Sequence, residues 1–318
     1  PSTRIYQALV LGQRLGLEPG QKAVFRDTGT AHLFAISGLH VGLVGTFLLL
    51  FFRCLGIRGA VQIAISLIVL LFYVLLTGAA PSAVRAYLMV AFLSGAKALN
   101  RGYRPEAALA ASALVVLLFS PEQLFSLGFQ LSYTVVLSIL VFGVPFAKEL
   151  VRLTDPPFID PESPKKVFRK PRIWVLTSFS ISLTAFLASA PISIDHFGVL
   201  PLSAILLNLL LIPPASFVLA LGFLSLLAGL VGIPYLPEIL NMISRPILEA
   251  MFALVAGTDT LAMSSVPARF AFDWMGPAAL FGFLITAFWV GTRPSFRKVY
   301  LLLPSSVLLA SVCAALLF

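Results

Sequence analysis

Long apolar runs separated by short polar breaks dominate this chain. A helix that crosses the hydrocarbon core of a bilayer needs about 20 mostly apolar residues, and about ten runs approach that length. They lie near 32–52, 60–78, 82–99, 106–124, 127–147, 173–195, 202–231, 237–256, 277–291 and 299–318. The pattern predicts an all-α, polytopic membrane protein with about ten transmembrane or membrane-embedded helices, some of them broken or re-entrant. The run 202–231 is too long for one straight span, and Pro213-Pro214 predicts a break or a re-entrant bend within it. The run 237–256 carries Glu238, Arg245, Pro246 and Glu249, which suits either a span inside a bundle or an amphipathic helix lying at the interface. Residues 152–172 form the one substantial polar stretch. Asp155-Pro156-Pro157, Asp160-Pro161 and Ser163-Pro164 predict an extended connection there. No internal repeat is evident.

Composition strengthens the membrane assignment. Of 318 residues, 59% are hydrophobic and 11% are charged, and mean hydropathy is +1.00. A soluble domain is about one quarter charged; a water-facing surface cannot absorb this much apolar material, so lipid must cover it. The formal net charge is +9, from 22 basic and 13 acidic residues. Fifteen of the basic residues fall on loops after odd-numbered runs, among them Arg53, Arg58, Lys97, Arg101, Arg104 and the group from Lys148 to Arg172. Basic loops stay in the cytoplasm, next to anionic lipid. The odd-loop side is therefore expected to be cytoplasmic, with both chain ends outside and 152–172 as a basic cytoplasmic loop. Arg4, Arg14, Lys22 and Arg26 oppose this orientation, but they lie in a long leading segment where the rule is weaker. Residues 1–31 read as an outward-facing amphipathic or linking segment, and 32–318 as the membrane domain. The start at Pro1 and the end at Phe318 inside an apolar run suggest a piece of a longer protein. The cysteines, Cys54 and Cys313, show no pairing signature.

Four blocks give the chain a family likeness. Thr30 to Gly42 reads TAHLFAISGLHVG; Leu76 to Ala86 reads LTGAAPSAVRA; Leu127 to Ser132 reads LGFQLS; and Ala190-Pro191 precedes His196-Phe197-Gly198, Asn208 and Pro213. In content and order these resemble the channel region of the ComEC competence proteins, with their HLLAISGLHVG, LTG-x-x-PSA-x-RA, GFQLS and P…HFG…N…P blocks. The resemblance covers nearly the whole chain. It implies a multi-pass channel of the bacterial inner membrane that conducts single-stranded DNA into the cytoplasm during natural transformation. It also implies partners: single-stranded DNA, the bilayer, a DNA receptor, cytoplasmic DNA-translocation proteins, and the protein's own flanking OB-like and metallo-β-lactamase-like nuclease domains. The only histidines are His32, His40 and His196, so a His-rich two-metal nuclease motif is not in this stretch. No enzyme activity, metal or cofactor is expected of it.

Candidate path residues follow from polarity within apolar runs, since such groups tend to face interiors or cavities. On a helix at 100° per residue, Gly38, Gly42 and Gly45 fall within about 60° of one another and form a packing seam. His40 lies about 160° from Gly38, with Ser37 one turn before it. Ser37 and His40 thus either face a pore or bond backbone at a helix break. Arg85 is the basic residue set within the third run, and it either pairs with Asp195 or meets phosphate. Asp195 and His196 mark an outer vestibule. Gln130, Thr134 and Ser138 recur every four residues, as do Ser178 and Ser182, then Ser189 and Ser193. Such stripes line pores or bond their own helix carbonyls. Asn208, ahead of the proline pair, suits either freed backbone groups or a substrate. Phe129 is one candidate among 27 phenylalanines for a base-stacking platform. Two other function classes compete. A small-solute transporter would use the broken 202–231 helix. An intramembrane enzyme would need Ser37 and His40 to act together, and no acid to orient the histidine is evident.

Overall fold

The computed structural model describes residues 20, 24–25, 28–34, 38–102, 104–154, 165–259, 265–291 and 315. The described residues are almost entirely helical. They form α1 (Gly38–Cys54), α2 (Gly59–Leu76), α3 (Pro81–Ala98), α4 (Pro105–Phe119), α5 (Leu127–Ser138), α6 (Val144–Thr154), α7 (Lys165–Phe197), α8 (Ala204–Val231), α9 (Leu236–Asp259) and α10 (Met275–Gly291). A π-helical turn, Ile139–Gly143, joins α5 to α6, and one antiparallel pair, β1 (Val199–Leu200) with β2 (Val266–Pro267), is the only sheet among them.

Five segments are long and apolar enough to cross a membrane: Gly59–Leu76, Leu127–Thr154, Arg169–Phe197, Ala204–Gly229 and Leu236–Thr258. Gly38–Cys54, Pro105–Phe119 and Met275–Thr286 are shorter apolar helices. The expected tenth run, 299–318, lies outside the described residues apart from Ala315. The third run becomes α3, which belongs to neither group. It carries Ser82, Arg85, Ser94 and Lys97 and packs against α1, α2 and α4.

Helix ends follow local rules. Gly56, at φ +82°, closes α1, with the Ile57 N–H donating to Phe52 O at 3.0 Å. Gly78, at φ +83°, closes α2, with the Ala79 N–H on Val74 O at 2.9 Å. These are left-handed caps, in which a residue without Cβ returns donors to the last carbonyls. Pro81 and Pro105 start α3 and α4 where no N–H is needed. Ser126 caps α5 through its Oγ, 3.2 Å from the Phe129 N–H.

Two proline-containing stretches depart from expectation. The run 202–231 shows no break: α8 is helical straight through Pro213 and Pro214. Each proline removes one backbone donor, but a helix within lipid tolerates this, because any alternative exposes more unpaired backbone. The polar loop is shorter than 152–172. Residues 152–154 belong to α6 and 165–172 to α7, with Arg172 Nη1 donating to Thr154 O at 3.0 Å. Residues 155–164 lie outside the described set.

The chain divides into two compact units: Pro1–Gln130 with Leu210–Leu261, and Leu131–Leu209 with Ala262–Phe318. In the first, short connections after α1, α2 and α3 make successive helices antiparallel. Its core gathers Val41, Val44 and Leu48 of α1, Leu70 and Val74 of α2, Ala83 and Ala86 of α3, and Phe223 of α8. Phe223 meets Phe47 and Tyr73 edge-on, at centroid distances of 5.3 and 6.0 Å. Part of the leading segment joins this unit: Phe25 is buried and meets Phe252 of α9 edge-on, and buried Thr28 and Thr30 share a hydrogen bond. In the second unit, Phe142 stacks on Phe146 and meets Phe283 of α10 edge-on, within a core drawn largely from α7. Large apolar side chains such as Ile68, Phe72, Leu118 and Phe119 are more than 60% exposed. On helices of this composition, such a surface belongs against lipid.

Candidate functional site

Arg85 is the most constrained of the candidates. It sits one turn into α3 with 4% of its surface exposed. Its Nη2 donates to the backbone carbonyl of Gly128, 2.9 Å away at the start of α5. The guanidinium packs directly on Gly128, where a Cβ would stand 3.5 Å from Nη2, in ordinary contact. An unmet charge inside a membrane domain costs several kcal/mol on the order-of-magnitude scale, and an outward-turned carbonyl offsets part of that. The arginine and the glycine come from two separate blocks of the family likeness, and one hydrogen bond joins those blocks.

His40 lies at a related depth. Gly38 of α1 faces Ala86 of α3, where an added Cβ would be 3.7 Å from the Ala86 Cβ. His40 is two residues beyond that contact and Arg85 one residue before it. The His40 side chain is 1% exposed. The buried arc of α1 runs through His40, Val44, Leu48, Val41 and Gly45, spanning about 140° at helical spacing. His40 and Gly45 are thus the two edges of one packed face and not opposite faces. The glycine seam is uneven: a Cβ at Gly45 would press on Leu70 at 3.3 Å, whereas one at Gly42 meets nothing within 4 Å among the described residues. Gly45 is the residue that lets helices approach. Ser37 lies outside the described residues.

Two members of the serine and threonine stripes bond their own helices: Ser138 Oγ donates to Thr134 O at 2.7 Å and Ser189 Oγ to Phe186 O at 3.1 Å, and Thr184, outside the stripes, does the same with Ser180 O at 2.7 Å. Half-buried Gln130 donates from Nε2 to Leu124 O at 3.3 Å. Phe129 is 6% exposed, so its ring forms part of the packing and not an open stacking face. Asn208 differs from these. It is buried on α8, and its Oδ1 has no hydrogen-bond partner among the described residues. A buried amide oxygen without a donor is uncommon. Ser66 Oγ on α2 is in the same condition, although one serine in an apolar run gives no signal in the sequence.

Asp195 and His196 are exposed at the end of α7, their side chains 3.5 Å apart. His196 Nδ1 is 3.2 Å from Ile192 O. Gly198, at φ +66°, then closes the helix and leads into β1. The His-Phe-Gly triplet thus ends a helix and holds a polar pair at its tip. His40, Arg85 and Gln130 belong to the first compact unit; Thr134, Asp195, His196 and Asn208 belong to the second. Among the described residues, no three His, Cys, Asp or Glu side chains gather as a metal site.

The family described as Competence protein matches residues 9–294. ComE operon protein 3 of Bacillus subtilis is 32% identical over 221 residues, covering 70% of this chain and 26% of that protein. Recombination protein 2 of Haemophilus influenzae is 28% identical, covering 67% and 26%. The Escherichia coli protein YcaI is 27% identical, covering 69% and 28%. The matched stretch is thus about a quarter of the length of each of these relatives. No solved structure matches. A match that runs through α1 to α10 and takes in all four sequence blocks places this membrane protein in the Competence family.

Proposed function

We propose that this chain is the membrane channel through which single-stranded DNA enters the cytoplasm during natural transformation, set in the bacterial inner membrane. The observation that carries the reading is the family match over residues 9–294. The polar groups within the helices support it: His40, Arg85 and Asn208 are all at least nine-tenths buried in otherwise apolar elements. A moving strand must not be gripped at every phosphate. A path with few fixed cations and scattered amides and hydroxyls reads backbone and base faces without reading sequence. The small-solute transporter has less to rest on, because α8 lacks the interrupted backbone that reading needs. The chain itself does no chemistry on DNA. A nuclease, an OB-like domain, the DNA receptor and the cytoplasmic motor lie in other segments or other proteins.

A photo-crosslinking amino acid tests the path. Placed at His40 or Asn208 of the protein in transforming cells, it is expected to capture incoming single strands. Placed at Phe119, which is 85% exposed, it is expected to capture lipid only. The captured strands should show no cleavage attributable to this domain. Capture of DNA at Phe119 alone would move the strand off the proposed path.

Orientation has its own test. Cys54 is exposed at the end of α1, beside Arg53 on the basic side. With Cys313 replaced, a membrane-impermeant maleimide is expected to leave Cys54 unlabelled in intact cells and to label it after permeabilisation. A Ser163→Cys variant lacking both native cysteines is expected to behave alike. Efficient labelling of either from outside reverses the topology.

A further inference from the structure

We propose that the cleft between α3 and α4 binds an anionic phospholipid, with its phosphate on Arg101 and Arg104 and an acyl chain along the apolar floor. The cleft has a volume of about 580 Å³, within the roughly 300–1,000 Å³ of small-molecule sites. Arg101 and Arg104 stand at its mouth, above Phe92, Leu93, Ala108 and Ala111. The space exists because α4 presents alanines to α3 where larger side chains would fill it.

The two arginines are held in place by backbone geometry. Asn100 adopts φ +54° after the last turn of α3, and the Arg101 N–H donates to Ala96 O at 2.8 Å. This folds the chain back over the helix end, as a left-handed cap does. Arg104 lies outside the helical region, at φ −131° and ψ 87°, in keeping with the bias on a residue before proline. Among the described residues, neither guanidinium has a hydrogen-bond or ion-pair partner, and Lys97 in the last turn of α3 adds a third positive charge nearby.

Charge complementarity selects an anion, and the floor selects which one. The side chains below the arginines carry no polar atom. A nucleotide seated there would leave its base and sugar groups without partners, at a desolvation penalty. A phospholipid presents the opposite arrangement, with a phosphate at the interface and hydrocarbon beneath. Basic residues at the membrane surface favour anionic headgroups over zwitterionic ones.

The test uses the full chain in nanodiscs of mixed phosphatidylglycerol and phosphatidylcholine, with retained lipid read by native mass spectrometry after release. Phosphatidylglycerol is expected to be retained in preference. Arg101→Gln with Arg104→Gln is expected to remove the preference, at about fivefold per lost charge. Arg101→Lys with Arg104→Lys is expected to keep most of it. Ala111→Phe fills the floor while leaving both charges, and is expected to abolish retention. It carries the test should the glutamine pair fail to fold. Equal retention of the two lipids by the parent chain, or a preference that survives both the glutamine pair and Ala111→Phe, overturns the proposal. So does displacement of the retained lipid by a short single-stranded oligonucleotide, which would assign the cleft to nucleic acid.

Discussion

Replacing Arg85 with glutamine is expected to lower DNA uptake by about one to two orders of magnitude while the chain still inserts, because a hydrogen bond from a charged donor contributes roughly 1.5–3 kcal/mol. That bond, from Nη2 to Gly128 O at 2.9 Å, ties α3 to the first turn of α5. Glutamine is shorter, carries no charge, and cannot reproduce the planar fork. Transformation frequency and membrane fractionation read the two halves of the expectation. Two companion variants separate the three roles open to the residue. If Arg85 meets phosphate through its charge, Arg85→Lys retains much of the uptake. If its geometry at Gly128 is what matters, lysine is nearly as damaging as glutamine. If the residue serves to neutralise Asp195, Arg85→Gln with Asp195→Asn restores uptake, because no unpaired charge is left. Undiminished uptake in Arg85→Gln alone removes the residue from all three roles.

Gly143→Val is expected to destabilise the second compact unit by about 1–3 kcal/mol, the usual penalty for forcing extra carbons into a packed crossing. Gly143 ends the π-helical turn, where α7 comes close. A Cβ on it would lie 3.1 Å from Thr184 Oγ1 and 3.3 Å from Thr184 Cβ. Thr184 has no room to yield: it is fully buried, and its hydroxyl is committed to Ser180 O. Its Cβ moves only with the backbone of α7. Thermal unfolding of the detergent-solubilised protein, followed by size exclusion, should show an earlier transition for the valine variant. Thr184→Ala in the same chain removes Oγ1 and Cγ2 and should recover part of the loss. A valine variant as stable as the parent would mean that the two helices do not approach this closely.

These two sites differ in how far the sequence exposed them. Arg85 stood out at once, because a charge inside an apolar run is rare and conspicuous. Its acceptor was invisible: Gly128 is 43 residues away, and a glycine carbonyl leaves no mark in a sequence. Gly143 carries no such signal. A π turn adds one residue to a helix without changing composition, and the threonine it accommodates belongs to another helix. The glycine seam of α1 shows the same limit. Spacing put Gly38, Gly42 and Gly45 on one face, but Gly45 alone meets a neighbour closer than 3.5 Å. The hydroxyl stripes were ambiguous by nature, since a serine that bonds its own helix and one that faces a pore have identical spacing.

The sequence by itself determined the membrane class, the helical content, the family and most helix ends. Apolar runs of spanning length have few alternatives to helix in lipid, since every backbone group must be paired within the segment. Caps at Gly56, Gly78 and Gly198, and starts at Pro81 and Pro105, depend on conformations within a few residues of themselves. The tertiary structure decided which of those helices touch, and so the fate of every polar group between them. It buried His40 beside Val44, gave Arg85 a carbonyl from a distant turn, left Asn208 Oδ1 without a donor among the described residues, and carried α8 unbroken through two prolines. Side-chain partners across a helix crossing are set by the rotation and depth at which two helices pack. That choice is made jointly by many weak contacts along both, and no local pattern encodes it.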